Sequence, residues 1–140
     1  MCCITIQGLV TELWPMNFEP VVLDLIDRAG SGVMALGAAI LLLGYIPMMI
    51  KGTSIVDSRK HTTHIVTKGI FAYSRNPIYL GWLTIFFGLA MATLSWSGLL
   101  IPILMIALLD RFVIMEEEQY LESRFGDDYL SYKAQVRRWL

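Results

Sequence analysis

The sequence predicts an all-α fold, a polytopic membrane helix bundle with about three full spans, and three observations carry that expectation. Hydrophobic residues make up 56% of the chain and charged residues only 16%, against about 25% charged in soluble domains. The apolar residues come in long blocks, at neither helical nor strand period, and such blocks suit lipid better than a half-wetted surface. Polar residues gather between the blocks, in a basic connector and an acidic run. The net charge of −1, with no basic patch interleaved with aromatics, gives no reason to expect nucleic acid as a partner.

Residues 1–28 read as a partial or interfacial segment, the stump of a further span. Ile4 to Trp14 is about ten residues, too short for a bilayer of about 30 Å, and Pro15 and Pro20 interrupt a helix. Met1 to Val10 lacks the basic start and long apolar core of a cleavable leader. Cys2 and Cys3 are adjacent, so neither a disulfide framework nor a metal set follows from them.

Residues 29–50 form the first span, uncharged and about 33 Å long at 1.5 Å per residue. Gly30, Gly37 and Gly44 recur every seven residues, so they share a stripe on which a neighbouring helix can approach closely. Gly81 and Gly88 repeat the device in the second span, residues 78–94. Pro47 is expected to kink the end of the first span.

Residues 51–77 are the connector. Lys51, Arg59, Lys60, Lys68 and Arg75 face one acid, Asp57, and such a bias predicts the cytoplasmic side. Ile65, Val66, Ile70, Phe71 and Tyr73 suggest a segment folded onto the membrane face. Trp82 and Trp96 suit the water–lipid boundary, and Ser95 to Gly98 reads as the outer turn. Residues 97–115 form the third span, with Pro102 near its start and Asp110 and Arg111 interrupting its inner end.

Residues 116–140 read as cytoplasmic amphipathic helices. Gly126 stops the first. Asp127 caps the second, from Asp128 to Trp139, whose Tyr129, Tyr132, Val136 and Trp139 share a face expected to lie along the membrane surface.

The spans form a hairpin that leaves one membrane face at Tyr79 and returns to it at Glu116. Arg75, Asn76, Tyr79, Glu116, Glu117 and Glu118 then meet at one boundary. Three like charges beside lipid are costly unless used or paired. Successive helix residues turn by about 100°, so at least one glutamate faces the bundle, where a carboxylate can hold a cationic ligand. The plain alternative is a solvated helix start, where acids are favoured. Arg75-Asn76-Pro77 carries the same two readings, a capped helix start or a receiver for a polar ligand. His61 and His64 lack a third metal ligand at suitable spacing. No Ser-His-Asp order, Walker loop or Rossmann glycine pattern is present.

The run Thr63-His64-Ile65-Val66-Thr67-Lys68-Gly69-Ile70-Phe71-Ala72-Tyr73-Ser74-Arg75-Asn76-Pro77-Ile78-Tyr79-Leu80-Gly81 resembles the isoprenylcysteine carboxyl methyltransferase family and its phospholipid methyltransferase relatives. So does Glu117-Glu118-Gln119-Tyr120-Leu121, with Phe125-Gly126-Asp127-Asp128-Tyr129 and Tyr132 to Trp139 after it. The resemblance covers Gly52 to Leu140. It implies an integral, multi-pass membrane enzyme that uses S-adenosyl-L-methionine without a Rossmann domain, its site facing the cytoplasm. Carried over by position, the cofactor contacts are Thr63, His64, Ile65, Val66, Phe71, Asn76, Pro77, Ile78, Tyr79 and Glu117.

This chain departs from the family at several places. Many members have His at the position of Asn76, and Phe71 takes a place often held by Tyr. The eukaryotic enzymes have a substrate-contacting arginine at the position of Val113, for which Arg111 is the candidate substitute. A full span usually precedes a Trp-Pro like Trp14-Pro15.

The implied reaction is attack by an acceptor oxygen, nitrogen or sulfur on a methyl carbon already activated by a sulfonium, with alignment of the reactants as the protein's share. The acceptor expected is a lipophilic small molecule or lipid, of isoprenylcysteine carboxylate type. A phospholipid amine is the alternative acceptor, and a non-catalytic membrane scaffold the alternative role. A transporter is disfavoured, because no charge sits in the middle of a span.

Overall fold

In a computed structural model, residues 19–50, 65–94 and 96–140 are described, the side chains of Trp96 and Ser97 excepted. The expectations for Cys2, Cys3, Pro15, His61, Thr63, His64, Ser95, the Trp96 side chain and the first half of the connector fall outside these residues. Every regular element among the described residues is helical. Helix α1 spans Pro20–Ile50, a 3₁₀ turn covers Gly69–Ala72, and α2 spans Pro77–Ala92. Helix α3, Trp96–Leu108, runs without a break through a π-helical segment, Leu109–Ile114, into α4, Met115–Phe125. Helix α5 spans Asp127–Gln135.

Helix α1 begins earlier than residue 29. Pro20 opens it instead of breaking it, because a first-turn proline lacks only an N–H that the helix does not use. Its early acid is paired: Asp24 lies 2.8 Å from Arg28 one turn on. The helix also runs through Pro47 to Ile50.

The predicted glycine stripe is the seam between α1 and α2. Gly30, Gly37 and Gly44 are the buried residues of α1. A Cβ on Gly30 would lie 2.7 Å from Gly88 O, and one on Gly37 would lie 2.8 Å from Gly81 O. One on Gly44 would meet Ile78 at 2.8 Å. Rising numbers on α1 match falling numbers on α2, so the helices are antiparallel. Only backbones without side chains can come this close.

The helices α1 and α3–α4 are long and apolar enough to cross a membrane, by length and composition. Only 11% of the most apolar stretch of each is buried, whereas the core helix of a soluble domain would be mostly covered. Leu36, Leu42, Leu100 and Ile103 all stand outward. Helix α2, at 16 residues, reaches about 24 Å and is shorter than the 78–94 expected. It ends in a tight turn through Leu94, whose φ of +49° is a left-handed conformation that costs a residue with a side chain about 1–2 kcal/mol.

Two C-terminal expectations are corrected. Gly126 does end α4, with φ +53°, but it is also the residue before α5, so Asp127 is helical and is not the cap. Helix α5 stops at Gln135, short of Trp139, and Val136 is extended; the carbonyls of Arg137 and Arg138 then accept hydrogen bonds from residues 74–76, just ahead of α2. The face of Tyr129, Tyr132 and Val136 packs against Ile65, Leu121 and Phe125.

Candidate functional site

Three pieces of chain converge at the N-terminal end of α2: the 3₁₀ turn with residues 73–76, the first turns of α4, and the tail after α5. The 3₁₀ turn is set by Gly69 at φ +69°. Its Phe71 is buried, and its carbonyl accepts a 2.7 Å hydrogen bond from the buried Tyr132 hydroxyl. That bond ties the connector to α5. Burial raises the Tyr132 hydroxyl well above its ordinary range. Burial also raises that of Tyr129, with Glu118 adding to the shift and Arg75 opposing it.

Ser74 to Asn76 pairs with the tail. Arg75 N–H donates to Arg137 O at 3.1 Å. Ser74 Oγ donates to Arg138 O at 3.4 Å and Asn76 Nδ2 to the same oxygen at 3.1 Å. Ser74 Oγ in turn accepts the Asn76 N–H at 3.2 Å. Asn76 occupies the N-cap position of α2 but makes no side-chain cap. Its amide is taken by a carbonyl 62 residues away. Pro77 follows as the first helical residue and is buried, with Ile78 and Tyr79 half-buried beside it.

The acidic run divides its work. Glu116 is exposed, Glu117 half-buried and Glu118 buried. Tyr79 OH donates to Glu117 Oε2 at 3.4 Å, so the start of α2 and the start of α4 touch. Glu118 holds a fork from Arg138, Nε to Oε1 at 3.0 Å and Nη2 to Oε2 at 2.8 Å. Arg75 Nη1 lies 2.9 Å from Glu118 Oε1 and Lys133 Nζ 3.6 Å from Oε2. Arg138 Nη1 donates to Asp110 Oδ1 at 2.9 Å, and Lys133 also pairs with Glu122. Three cations thus meet three carboxylates, and the cluster is neutral. Arg75 Nε is buried without a hydrogen-bond partner among the described residues.

Of the residues singled out from sequence, Phe71, Asn76, Pro77, Ile78, Tyr79 and Glu117 come together at this end of the bundle. Ile65 packs on the C-terminal cluster, and Val66 is half-buried next to it in sequence. Arg111 is exposed on the π segment, its Nη1 3.8 Å from Met115 Sδ. Glu118 entered only as one of three glutamates of which at least one faces the bundle, and Asp110 and Arg138 were not singled out as site residues, although an acid at the inner end of an apolar span calls for a counter-ion. No group of His, Cys, Asp and Glu among the described residues could hold a metal.

Known proteins place this geometry in context. The profile of a family described as phospholipid methyltransferase matches residues 26–128. An uncharacterised protein of Haemophilus influenzae is 54% identical over 48 residues, 34% of this chain and 71% of that one. Protein-S-isoprenylcysteine O-methyltransferase of Schizosaccharomyces pombe is 40% identical over 87 residues, 59% of this chain and 35% of the relative. The protein of the same name from Saccharomyces cerevisiae is 32% identical over 109 residues, 72% of this chain and 46% of the relative. The chain therefore spans less than half the length of these two named methyltransferases. No solved structure matches it.

Proposed function

Because the chain belongs to the phospholipid methyltransferase family, we propose that it transfers a methyl group from S-adenosyl-L-methionine to a lipophilic acceptor at the cytoplasmic face of a membrane. The observation that carries the reading is the contact between the two ends of the hairpin, Tyr79 OH to Glu117 Oε2 at 3.4 Å. It puts a carboxylate beside the start of α2, where Asn76 stands.

The donor set suits the cofactor. S-adenosyl-L-methionine supplies a methyl group already activated on a cationic sulfonium, together with an ammonium and hydroxyl groups. Glu117 offers a negative charge to a cation, and Tyr79 orients that carboxylate from one side. Asn76 offers an amide, and the buried turn at Phe71 gives an apolar wall. The chain then has to align an acceptor and exclude water, and alignment alone can supply several kcal/mol. An acceptor carboxylate needs no general base, so an isoprenylcysteine-type carboxylate is the acceptor preferred here. The exposed apolar sides of α3 leave the lipid in reach.

The family's description favours a second acceptor, a phospholipid amine. The mass of the product formed from lipid extracts and labelled cofactor separates the two. The central test is binding of labelled cofactor to the full chain in lipid nanodiscs. A charge-assisted contact is worth about 1.5–3 kcal/mol, so Glu117→Gln should weaken binding by about ten- to a hundredfold. Absence of binding by the unaltered chain, or an unchanged affinity in the variant, defeats the proposal.

A further inference from the structure

We propose that Arg138 is a positioning residue for Asn76: its guanidinium, pinned by Glu118 and Asp110, fixes the backbone carbonyl that orients the Asn76 amide. The inference rests on the methyl-donor site proposed above and adds which atom of Asn76 the chain presents there.

The Asn76 residue is referenced twice to one oxygen. Its Nδ2 donates to Arg138 O directly, and its N–H reaches the same oxygen through Ser74 Oγ. An asparagine side chain has two donors on nitrogen and an acceptor on oxygen. Turned over by half a revolution, the amide would set Oδ1 against Arg138 O, two acceptors with no proton between them. One orientation is therefore bonded and the other repelled. In the bonded orientation Oδ1 points away from the tail and serves as an acceptor. A group that meets it must donate, as an ammonium or a hydroxyl does.

The carbonyl needs an anchor. Arg138 lies beyond the end of α5, where Val136 is already extended, so no helical ladder holds it. Its guanidinium does, with two bonds to Glu118 on α4 and one to Asp110 on the π segment. A planar fork on a carboxylate fixes direction as well as distance. Glu118 also pairs with Arg75, next to Asn76 in sequence. The acids of the long α3–α4 helix thus set where the tail carbonyl stands relative to the first turn of α2.

The experiment uses the full chain in nanodiscs, with two readouts. The first is a double-mutant cycle on the affinity for labelled S-adenosyl-L-methionine. One hydrogen bond is worth about 0.5–1.5 kcal/mol, so Asn76→Ala and Arg138→Met should each weaken binding by about two- to tenfold. If Arg138 acts through Asn76, the double variant is no weaker than Asn76→Ala alone. Multiplying effects, or an unchanged affinity in Arg138→Met, overturn the proposal. Asp110→Asn takes the charge from one of three bonds and serves where Arg138→Met fails to fold; the weakening it causes should likewise vanish in the Asn76→Ala background. The second readout needs no donor. The side-chain amide protons of Asn76, followed by nuclear magnetic resonance in 15N-asparagine-labelled protein, should exchange slowly in the unaltered chain and fast in Arg138→Met or Asp110→Asn. Equal exchange in all three overturns the clasp. A clasp that passes in a chain that binds no donor sinks the proposed activity and not the clasp.

Discussion

Glu117→Gln and Glu118→Gln, one residue apart, should fail in different ways, and Glu118→Gln makes the larger structural demand. The Glu118 side chain is 7% exposed and serves Arg75, itself 9% exposed, together with Arg138 at 29% and Lys133 at 37%. Glutamine keeps the shape, but it replaces a charge shared by three cations with a single acceptor oxygen and turns an NH₂ group toward a guanidinium. Removing one partner of a buried pair costs about 3–5 kcal/mol. Arg138 and Lys133 can take water and keep Asp110 and Glu122, so the lower end applies, about 3 kcal/mol. That is roughly a hundredfold in the equilibrium between a docked and a released tail. The Arg75 amide reports this opening, because it donates to Arg137 O. Hydrogen–deuterium exchange with mass spectrometry on the full chain should show its protection falling about a hundredfold. Glu117→Gln should leave it unchanged while weakening cofactor binding. Protection within about threefold of the unaltered chain in Glu118→Gln would refute the reasoning.

The glycine seam gives a second contrast. Gly88→Ala sets a Cβ 2.7 Å from Gly30 O and from Met34 N, so α1 and α2 must part. Overpacking of this kind costs about 1–3 kcal/mol, seen as a lower unfolding midpoint in detergent. Gly32→Ala meets nothing within 4 Å and should be neutral or stabilising by about 0.5–1 kcal/mol in the same assay. Tyr132→Phe loses a 2.7 Å bond to a buried carbonyl and should cost about 1–3 kcal/mol in that measurement. The Tyr132 hydroxyl titrates higher folded than its ordinary 10.0, so its neutral form stabilises the fold below pH 10, and that share is lost as pH rises further. Thermal unfolding at pH 8 and pH 11 should show a smaller alkaline drop in Tyr132→Phe than in the unaltered chain.

Much of this arrangement was legible in the chain itself. The seven-residue spacing of Gly30, Gly37 and Gly44 needs only helical geometry to become a seam. The block pattern marked three apolar helices, and Pro77 marked the start of α2. What sequence could not settle was decided by partners distant along the chain. Asn76 is a good cap by type, yet Arg138 O competes for its amide from 62 residues away. The run Glu116 to Glu118 pointed to an inward acid, against a solvated helix start, without saying which. The answer depends on helical phase, and the π-helical Leu109–Ile114 shifts that phase between the apolar shaft and the acidic head. The N-terminal limit of α1 lies earlier than the sequence suggests because Pro20, read as an interruption, is the first residue of the helix.

The π-helical insert has a further consequence. It is a wide turn that takes up one extra residue without ending the rod. Rewinding those residues as regular α-helix, with none removed, would leave a rod of nearly the same length. It would also swing the carboxyl head around the axis by about 100°, carrying Glu118 away from Arg75 and Glu117 away from Tyr79. The lipid-facing half of the rod and its charged half are therefore separately adjustable parts, and the insert is the swivel between them.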